Sequence, residues 1–269
     1  MEGPSMNYDK YTCFKASRQD RVLTLAMNRP DDLNAVNKAM HDELGSLFYD
    51  IQLDDETDVV VLTGAGRAFS AGGDLAMMKR IADGSDEPML LLVDAKRIIY
   101  SLLDLEKPII AAINGHAMGL GANIALMCDT IFMSSAARIA DPHVKVGVVA
   151  GDGGCVIWPQ LIGYAKAKEF LMTGDPLGAE EAERIGLVNH VTAPEDTLAE
   201  AQAFAHRLAN GATAAIRWTK VSANIGLKQL AHSIMDTSLA YEWLTFSADD
   251  HKEAINAFLE KREPTFTDT

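Results

Sequence analysis

Cysteine is scarce in this sequence, and long apolar runs are missing from it. The three cysteines, Cys13, Cys128 and Cys155, are an odd number without close spacing. This excludes a disulfide framework and a cysteine-based zinc site. No apolar run approaches the length of a membrane span, and the first residues lack the basic and apolar regions of a signal peptide. We therefore expect a protein of the reducing cytoplasm with no role for a membrane.

Positive charge is also in short supply. The chain has 24 Lys and Arg against 38 Asp and Glu, which gives a formal net charge of −14. Nucleic acids and anionic membranes bind basic surfaces, so neither is expected as a partner. A phosphate-bearing small molecule is compatible with this charge, because it needs only a local basic or N–H-rich pocket. The 269 residues, 48% of them hydrophobic, are enough to bury a full core.

Apolar periodicity changes its character near residue 195. Before that point, apolar runs of strand length alternate with amphipathic helices, which predicts an α/β core of βαβ units with right-handed crossovers. The strands are predicted at residues 22–27, 59–62, 109–113, 130–133 and 138–140. Beyond it, helices are predicted almost throughout, including separate helices at 213–223 and 227–248. The chain is therefore divided into an α/β core, residues 1–195, and a helical C-terminal region, residues 196–269.

Two small-residue loops each follow a buried strand and precede a helix. One spans residues 69–75 and the other 118–123. Such turns expose backbone N–H groups at the positive end of a helix, and two of them can point at one carbonyl oxygen as an oxyanion hole. Glycines mostly serve turns, however, and Asp74 is explained equally well as an N-cap. Neither loop matches a Walker motif or the dinucleotide fingerprint.

The stretch from Asp141 to Gly154 contains the strongest acid–base candidates. His143 follows a proline, and Asp152 lies among glycines nine residues later. A histidine titrates near neutral pH, and a carboxylate can fix its tautomer and stabilise its charged form. The alternative is a polar loop residue and a turn former. The other histidines have no metal-ligand spacing, and no metal site is predicted.

Several ordered motifs resemble those of the crotonase (enoyl-CoA hydratase/isomerase) superfamily. The resemblance covers residues 14–266, nearly the whole chain. The motifs are Arg29-Pro30 with Leu33-Asn34-Ala35, then Arg67-Ala68-Phe69-Ser70-Ala71-Gly72-Gly73-Asp74-Leu75, Lys107-Pro108, Asn114-Gly115, Gly119-Leu120-Gly121 and the ending from Phe258 to Phe266.

The resemblance implies a spiral of ββα and βαβ units whose helical C-terminal region packs trimers, often paired into hexamers, and covers the site. It implies an acyl-CoA thioester substrate with coenzyme A entering as part of that substrate and no separate cofactor. The backbone N–H groups of Ala71 and Leu120 would form the oxyanion hole. Substrate contacts are implied for Arg29, Leu33, Ala35, Ala68, Gly72, Gly73, Asp74, Leu75, Gly119 and Pro142.

The sequence departs from the family pattern at both catalytic acids. Hydratases of this superfamily use two glutamates, and the matching positions here are Asn123 and His143. Asparagine cannot act as a general base at neutral pH, which puts the usual hydratase mechanism in doubt. Asp32 also stands where many members carry a basic residue on the CoA side.

The His–Asp stretch resembles instead a subset that includes 6-oxocamphor hydrolase and other β-diketone hydrolases, which cleave carbon–carbon bonds with water. The nine-residue step from His143 to Asp152 matches that subset, as do His41 and Glu242. We predict His143, Asp152 and Glu242 as catalytic residues and interpret His41 as structural. That hydrolase has a histidine at the oxyanion turn, where this chain has Leu120.

Three hypotheses follow. The first is an acyl-CoA enzyme in which Asp152 orients His143 and His143 activates water, for hydration or for hydrolytic carbon–carbon cleavage. The second is a conventional enoyl-CoA hydratase or isomerase. The third is a CoA-thioester-binding subunit that has lost the chemistry.

Overall fold

The fold is described from a computed structural model, which covers residues 6–86 and 89–267. The outer ends of the two predicted regions, residues 1–5 and 268–269, lie outside the described residues, as do residues 87–88 and the side chains of 89–91. The described strands are β1 (Phe14–Gln19), β2 (Val22–Met27), β3 (Val59–Gly64), β4 (Ala68–Ser70), β5 (Ile109–Ile113), β6 (His116–Met118), β7 (Thr130–Ser134), β8 (Arg138–Ala140), β9 (Leu177–Gly178) and β10 (His190–Thr192).

A six-stranded sheet forms the centre of the molecule, in the order β1-β2-β3-β5-β7-β10. Strands β1 and β2 pair antiparallel as a hairpin, and the remaining neighbours pair parallel. Every residue of β3 and β5 is buried, as expected for parallel strands covered on both faces. The predicted α/β core with parallel strands is confirmed.

A second sheet of four short strands lies beside the first, in the order β4-β6-β8-β9. Each of β4, β6 and β8 follows directly on a strand of the large sheet, namely β3, β5 and β7. Successive turns of the chain therefore add one strand to each sheet, which is the predicted spiral of ββα units. The two glycine-rich loops follow β4 and β6 of the second sheet, and each leads into the next helix.

The described helices are α1 (Lys38–Leu53), α2 (Leu75–Ala82), α3 (Met89–Asp104), α4 (Leu120–Leu126), α5 (Gly154–Thr173), α6 (Ala179–Arg184), α7 (Thr197–Ala209), α8 (Thr213–Phe246) and α9 (Asp249–Glu260). Asn37 and Asp74 cap α1 and α2 by accepting the N–H groups of Met40 and Met77. The prediction of two helices between residues 213 and 248 was wrong, because α8 is a single helix of 34 residues. Gly226 lies in open space within it, where a glycine weakens a helix by only about 1 kcal/mol relative to alanine.

Helices cover both faces of the large sheet. On one face, α1 and α3 bury the main core, with Phe48 and Ile98 fully enclosed. On the other, Ala201 and Ala205 of α7 pack against Val61 and its neighbours. After β10 the described chain is helical, and α8 runs back towards the loop that precedes α5. No helix among the described residues is long and apolar enough to cross a membrane.

Candidate active site

The two glycine-rich loops meet the Asp141–Gly154 stretch at Gly119. This residue has a φ of 52°, a region that favours glycine. A Cβ added at Gly119 would lie 3.5 Å from Cε1 of His143 and 3.8 Å from Cα of Gly72. The first loop, the second loop and the histidine are therefore in contact around one small residue.

A cavity of about 50 Å³ opens at this junction. Its wall is largely apolar and is made by residues of α1, α2, α3, α4 and α8 together with Val36, Gly73, His143 and Asp152. The complete set is Val36, His41, Gly73, Met77, Met78, Ile81, Leu92, Ala95, Leu120, His143, Asp152, Glu242 and Phe246. The structure thus brings together all three predicted catalytic residues. Four polar side chains converge on an enclosed apolar space, which is the usual form of an active site.

His143 begins a short 3-10 helix, His143–Val146, that Pro142 starts and Gly147 closes with a φ of 68°. Its two ring nitrogens face two different carboxylates. Nδ1 is hydrogen-bonded to Oδ1 of Asp141, and Nε2 lies 3.3 Å from Oδ2 of Asp152. The expectation that Asp152 orients the ring is corrected in one respect, because the shorter contact is to Asp141.

Asn123, at the position of the family's first glutamate, links the same two carboxylates from the other side. Its Nδ2 donates to Asp141 at 2.9 Å and to Asp152 at 2.8 Å. Its Oδ1 accepts the indole N–H of Trp158 at 3.1 Å, and both side chains are fully buried. Asp141, His143, Asp152 and Asn123 therefore form a closed hydrogen-bonded ring, which is called the proton ring below.

The electrostatics of the proton ring favour a charged histidine. Burial lowers the pKa of His143, but the carboxylates of Asp152 and Asp141 outweigh it and raise that pKa well above its ordinary value. Burial raises the pKa of Asp152, and its contacts with His143 and Asn123 outweigh this and lower it. His143 is thus an imidazolium at neutral pH, and the two carboxylates with one imidazolium leave one net negative charge.

Glu242 reaches this site from α8. It is 4% exposed, and its Oε2 has no hydrogen-bond partner among the described residues. Burial, followed by the charges of Asp152 and Asp141, raises its pKa well above the ordinary value, which favours its protonated form. Nearby, Ser238 donates to the carbonyl oxygen of Gly151 at 3.0 Å, which fixes α8 against the loop that carries Asp152.

His41 also faces the cavity, from α1. It is 5% exposed, and its Nδ1 has no partner among the described residues. Burial lowers its pKa, so its ring is neutral at neutral pH. His41 is therefore a polar group of the cavity wall, whereas the sequence led us to interpret it as structural.

The predicted oxyanion donor Ala71 needs correction. Its N–H donates to the carbonyl oxygen of Leu33 at 3.0 Å, because the loop pairs with residues 33–36 there. Two residues further on, the N–H of Gly73 has no partner in the described structure, and the same holds for Leu120, the first residue of α4. Both residues line the cavity. The free pair of donors is therefore Gly73 and Leu120.

The model of the family described as enoyl-CoA hydratase/isomerase matches residues 17–269. The chain belongs to this family.

Relatives within the enoyl-CoA hydratase/isomerase family match along most of their length. A short-chain-enoyl-CoA hydratase of Clostridium acetobutylicum is 36% identical over 251 residues, covering 91% of this chain and 94% of the relative. A solved enoyl-CoA hydratase/isomerase of Mycobacterium paratuberculosis superimposes with a TM-score of 0.88 at 35% identity, covering 93% of this chain and 99% of that one. A β-diketone hydrolase of the cyanobacterium Anabaena gives 0.83 at 30% identity, covering 89% and 96%.

Arg29 and Asp74, for which the resemblance implies substrate contacts, are occupied within the protein. The Arg29 guanidinium donates to the carbonyl oxygen of Ala35 and, at 2.6 Å, to Asp32, and lies 3.4 Å from Asp74. Asp74 also accepts the N–H of Met77 at 3.1 Å as the cap of α2. In this state both side chains stabilise the first glycine-rich loop.

Most of the other predicted substrate contacts are not part of the cavity wall. Gly73 lines the cavity. The remaining predicted contacts do not line it, so their contact with a substrate stays a prediction: Arg29, Leu33, Ala35, Ala68, Gly72, Asp74, Leu75, Gly119 and Pro142. Gly72 has a positive φ, and a Cβ there would lie 3.0 Å from the carbonyl oxygen of Met118, so it permits the approach of the two loops.

Asp141, His143 and Asp152 are also grouped closely enough to hold a metal ion, with one ligand atom from each within 4.8 Å of the others. Hydrogen bonds already use these atoms. Each carboxylate gives one oxygen to His143 and the other to Asn123. An amide N–H2 group aimed at both carboxylates suits an acid–base network better than a cation site.

The sequence did not reveal the roles of Asp141 and Asn123 in the proton ring. The Asp-Pro-His order was a usable signal, because a proline between them turns the chain so that residues two apart can face each other. The sequence indicates Asn123 only as the residue at the position of a catalytic glutamate.

Proposed function

We propose that this enoyl-CoA hydratase/isomerase-family enzyme adds water to a short acyl-CoA thioester or uses water to cleave a carbon–carbon bond in one. His143 and Asp152 activate the water. The observation that carries the proposal is the buried pair of His143 and Asp152 on the wall of a cavity that Gly73 and Leu120, with their two free N–H groups, also line. The cavity of about 50 Å³ favours a short acyl group.

The thioester carbonyl oxygen is placed between the N–H groups of Gly73 and Leu120. In either reaction negative charge develops on this oxygen when the α-carbon becomes enolate-like. Two preorganised donors in a water-poor site stabilise that charge strongly, and loss of one such donor typically costs about 100- to 1,000-fold in rate.

The proton ring is the base. Its two carboxylates and one imidazolium carry one net negative charge. Because His143 is already protonated, the carboxylate of Asp152 accepts the proton from water as the water oxygen attacks. In hydration the water oxygen bonds to the β-carbon of an enoyl thioester, and the double bond between the α- and β-carbons opens to give an enolate. In the cleavage reaction the water oxygen bonds to the β-keto carbon, and the single bond between the α- and β-carbons breaks to release the same kind of enolate. Glu242, protonated by its surroundings, returns a proton to the α-carbon. Carboxyl groups held at different protonation states mark the acid and the base of a site.

The relatives support both branches of the proposal. The Clostridium protein is named a short-chain-enoyl-CoA hydratase, and the Anabaena structure is that of a β-diketone hydrolase bound to (S)-3-oxocyclohexyl acetic acid. This chain has the His–Asp pair expected of a β-diketone hydrolase. At the oxyanion turn, however, it has the apolar Leu120 and not the histidine expected of such a hydrolase. A conventional enoyl-CoA hydratase or isomerase is the alternative, and as a hydratase it would give rapid loss of crotonyl-CoA absorbance that does not depend on His143.

The test is turnover by His143→Ala on crotonyl-CoA, 3-oxoacyl-CoA thioesters and cyclic β-diketones. We expect activity on at least one of them, reduced about 100- to 10,000-fold in the variant while substrate binding is retained. The control is His206→Ala, in α7 on the opposite face of the large sheet. Equal turnover by His143→Ala would contradict the proposal. Thioester binding without turnover of any compound would favour the non-catalytic subunit.

We also propose a homotrimer or a dimer of trimers in the cytoplasm, without a separate cofactor. Large exposed apolar side chains on α8 and α9, such as Trp218, Tyr241 and Phe258, support burial of the C-terminal region against other copies. The mass in solution, measured by light scattering, tests the assembly, and cell fractionation tests the location.

A further inference from the structure

We propose that Asp141 and Asn123 are positioning residues for the water-activating pair. Asp141 holds the imidazole of His143 through Nδ1, so that Nε2 is presented to Asp152 and the cavity. Asn123 fixes both carboxylates at the distances that the imidazolium needs. The inference rests on the proposed role of His143 and Asp152 and adds two residues to it.

The contacts of Asp141 leave its side chain a single arrangement. It is 1% exposed, with Oδ1 bound to Nδ1 of His143 and Oδ2 accepting from Asn123 at 2.9 Å. Gly154 makes room for it, because a Cβ there would lie 2.1 Å from Oδ2. A carboxylate on Nδ1 prevents the ring from turning over and determines which nitrogen faces the reacting atoms.

The orientation of the Asn123 amide is determined by its partners. The indole N–H of Trp158 is a donor only, so the atom that it contacts must be the amide oxygen. The two hydrogens on Nδ2 are then divided between Asp141 and Asp152. The reverse orientation would put the amide oxygen against two carboxylates and two N–H donors against each other.

That the Asn123 side chain is uncharged matters as much as its hydrogen bonds. The proton ring already contains two carboxylates, and a glutamate at this position, as in the family pattern, would add a third. Other titratable groups near the ring are His41 from α1, Cys155 from α5 and Glu242 from α8; burial keeps the first neutral and the last protonated. Burial also raises the pKa of Cys155 to about 11, so that thiol stays uncharged. His143 is thus balanced against the two aspartates alone.

The first experiment leaves Asp141 and Asn123 unchanged. Histidine labelled with ¹⁵N, in the full-length protein, reports whether each ring nitrogen carries a proton, and the His143→Ala spectrum identifies the signal. We expect both nitrogens of His143 to be protonated at neutral pH and Nδ1 to show a strong hydrogen bond. A neutral His143, or an Nδ1 without a partner, would overturn the inference.

The second experiment replaces Asp141 by Asn, which keeps the shape and removes the charge. We expect His143 to titrate at lower pH, the pH profile of kcat to move with it, and kcat to fall roughly 10- to 100-fold with little change in KM. Asp54→Asn is the matched control. Asp54 is equally buried and is bonded to Tyr8 and Thr57, far from the ring. It should lose stability and leave the His143 titration unchanged.

The outcomes separate the two proposals. If Asp141→Asn leaves the His143 titration and the kcat profile unchanged, the positioning role is wrong, whatever His143→Ala does. If His143→Ala retains full turnover, the proposed function is wrong, even where the ¹⁵N spectra have the expected form.

Discussion

Glu242 gives the sharpest prediction, because its replacement by Gln should change stability and activity in opposite directions. The side chain is buried at the cavity, and its pKa in the folded protein is raised well above the ordinary value, which favours the protonated form. Gln has nearly the same shape as protonated Glu and stays neutral at every pH. The folded site should therefore accept the substitution with little rearrangement.

The magnitude depends on pH in a definite way. In the unfolded chain Glu242 ionises near its ordinary pKa of 4.5, whereas in the folded protein it keeps its proton. Between that pH and the raised pKa, the folded state binds one more proton than the unfolded state, so the wild type loses about 1.4 kcal/mol of stability per pH unit. Below pH 4.5 the two proteins should be equally stable, and above it the variant should be increasingly more stable.

Urea denaturation of both proteins at several pH values between 4.5 and 8 measures this difference. Glu200→Gln, on an exposed position of α7, is the control and should show no such trend. At the same time kcat of Glu242→Gln should fall about 100- to 10,000-fold, because the amide cannot return a proton to the α-carbon. A stability difference that does not change with pH would refute the reasoning about Glu242.

Two further predictions concern the surroundings of the site, and a third concerns Asp54, away from it. Gly121→Ala should lower stability by about 1–3 kcal/mol and reduce kcat in a steady-state assay. A Cβ there would lie 2.6 Å from Oγ of Ser70 and would push the second glycine-rich loop, residues 118–123, out of place. An unchanged kcat would show that the loop tolerates the shift. Trp158→Phe should reduce kcat with little effect on KM, since it frees the amide of Asn123 to turn; normal kcat would contradict its role. Burial raises the pKa of Asp54, but hydrogen bonds from its neighbours outweigh burial, and the net effect is a lowered pKa. The contribution of Asp54 to stability should therefore be complete above the ordinary pKa of 3.8 and lost as the pH falls below that value. Thermal unfolding of Asp54→Asn and wild type should therefore converge in acid.

Strong apolar runs made much of the fold predictable from sequence. The strands β3, β5 and β7 were found because all or nearly all of their residues are buried. The short strands β4, β6 and β9 were missed, since two or three residues form a strand only when another segment is there to pair with. The break expected near Gly226 does not exist, because a single glycine in open space weakens a helix by only about 1 kcal/mol.

The sequence predicted which residues form the site better than it predicted how their side chains are arranged. The sequence indicated His143 and Asp152 as a pair, and their side chains lie 3.3 Å apart. Sequence spacing could not say which ring nitrogen faces which carboxylate, so the contact of Asp141 with Nδ1 was not foreseen. It also could not place Glu242, ninety residues away in sequence, because its burial depends on how α8 crosses the loop before α5.

The most direct measurement of the central claim is a crystal structure with a bound, unreactive acyl-CoA thioester. We expect the thioester carbonyl oxygen within hydrogen-bonding distance of the N–H groups of Gly73 and Leu120, with Nε2 of His143 and Asp152 beside the carbon that water attacks and Glu242 beside the α-carbon. A thioester whose carbonyl oxygen contacts neither N–H group, or whose reactive carbons lie away from His143 and Asp152, would contradict the account.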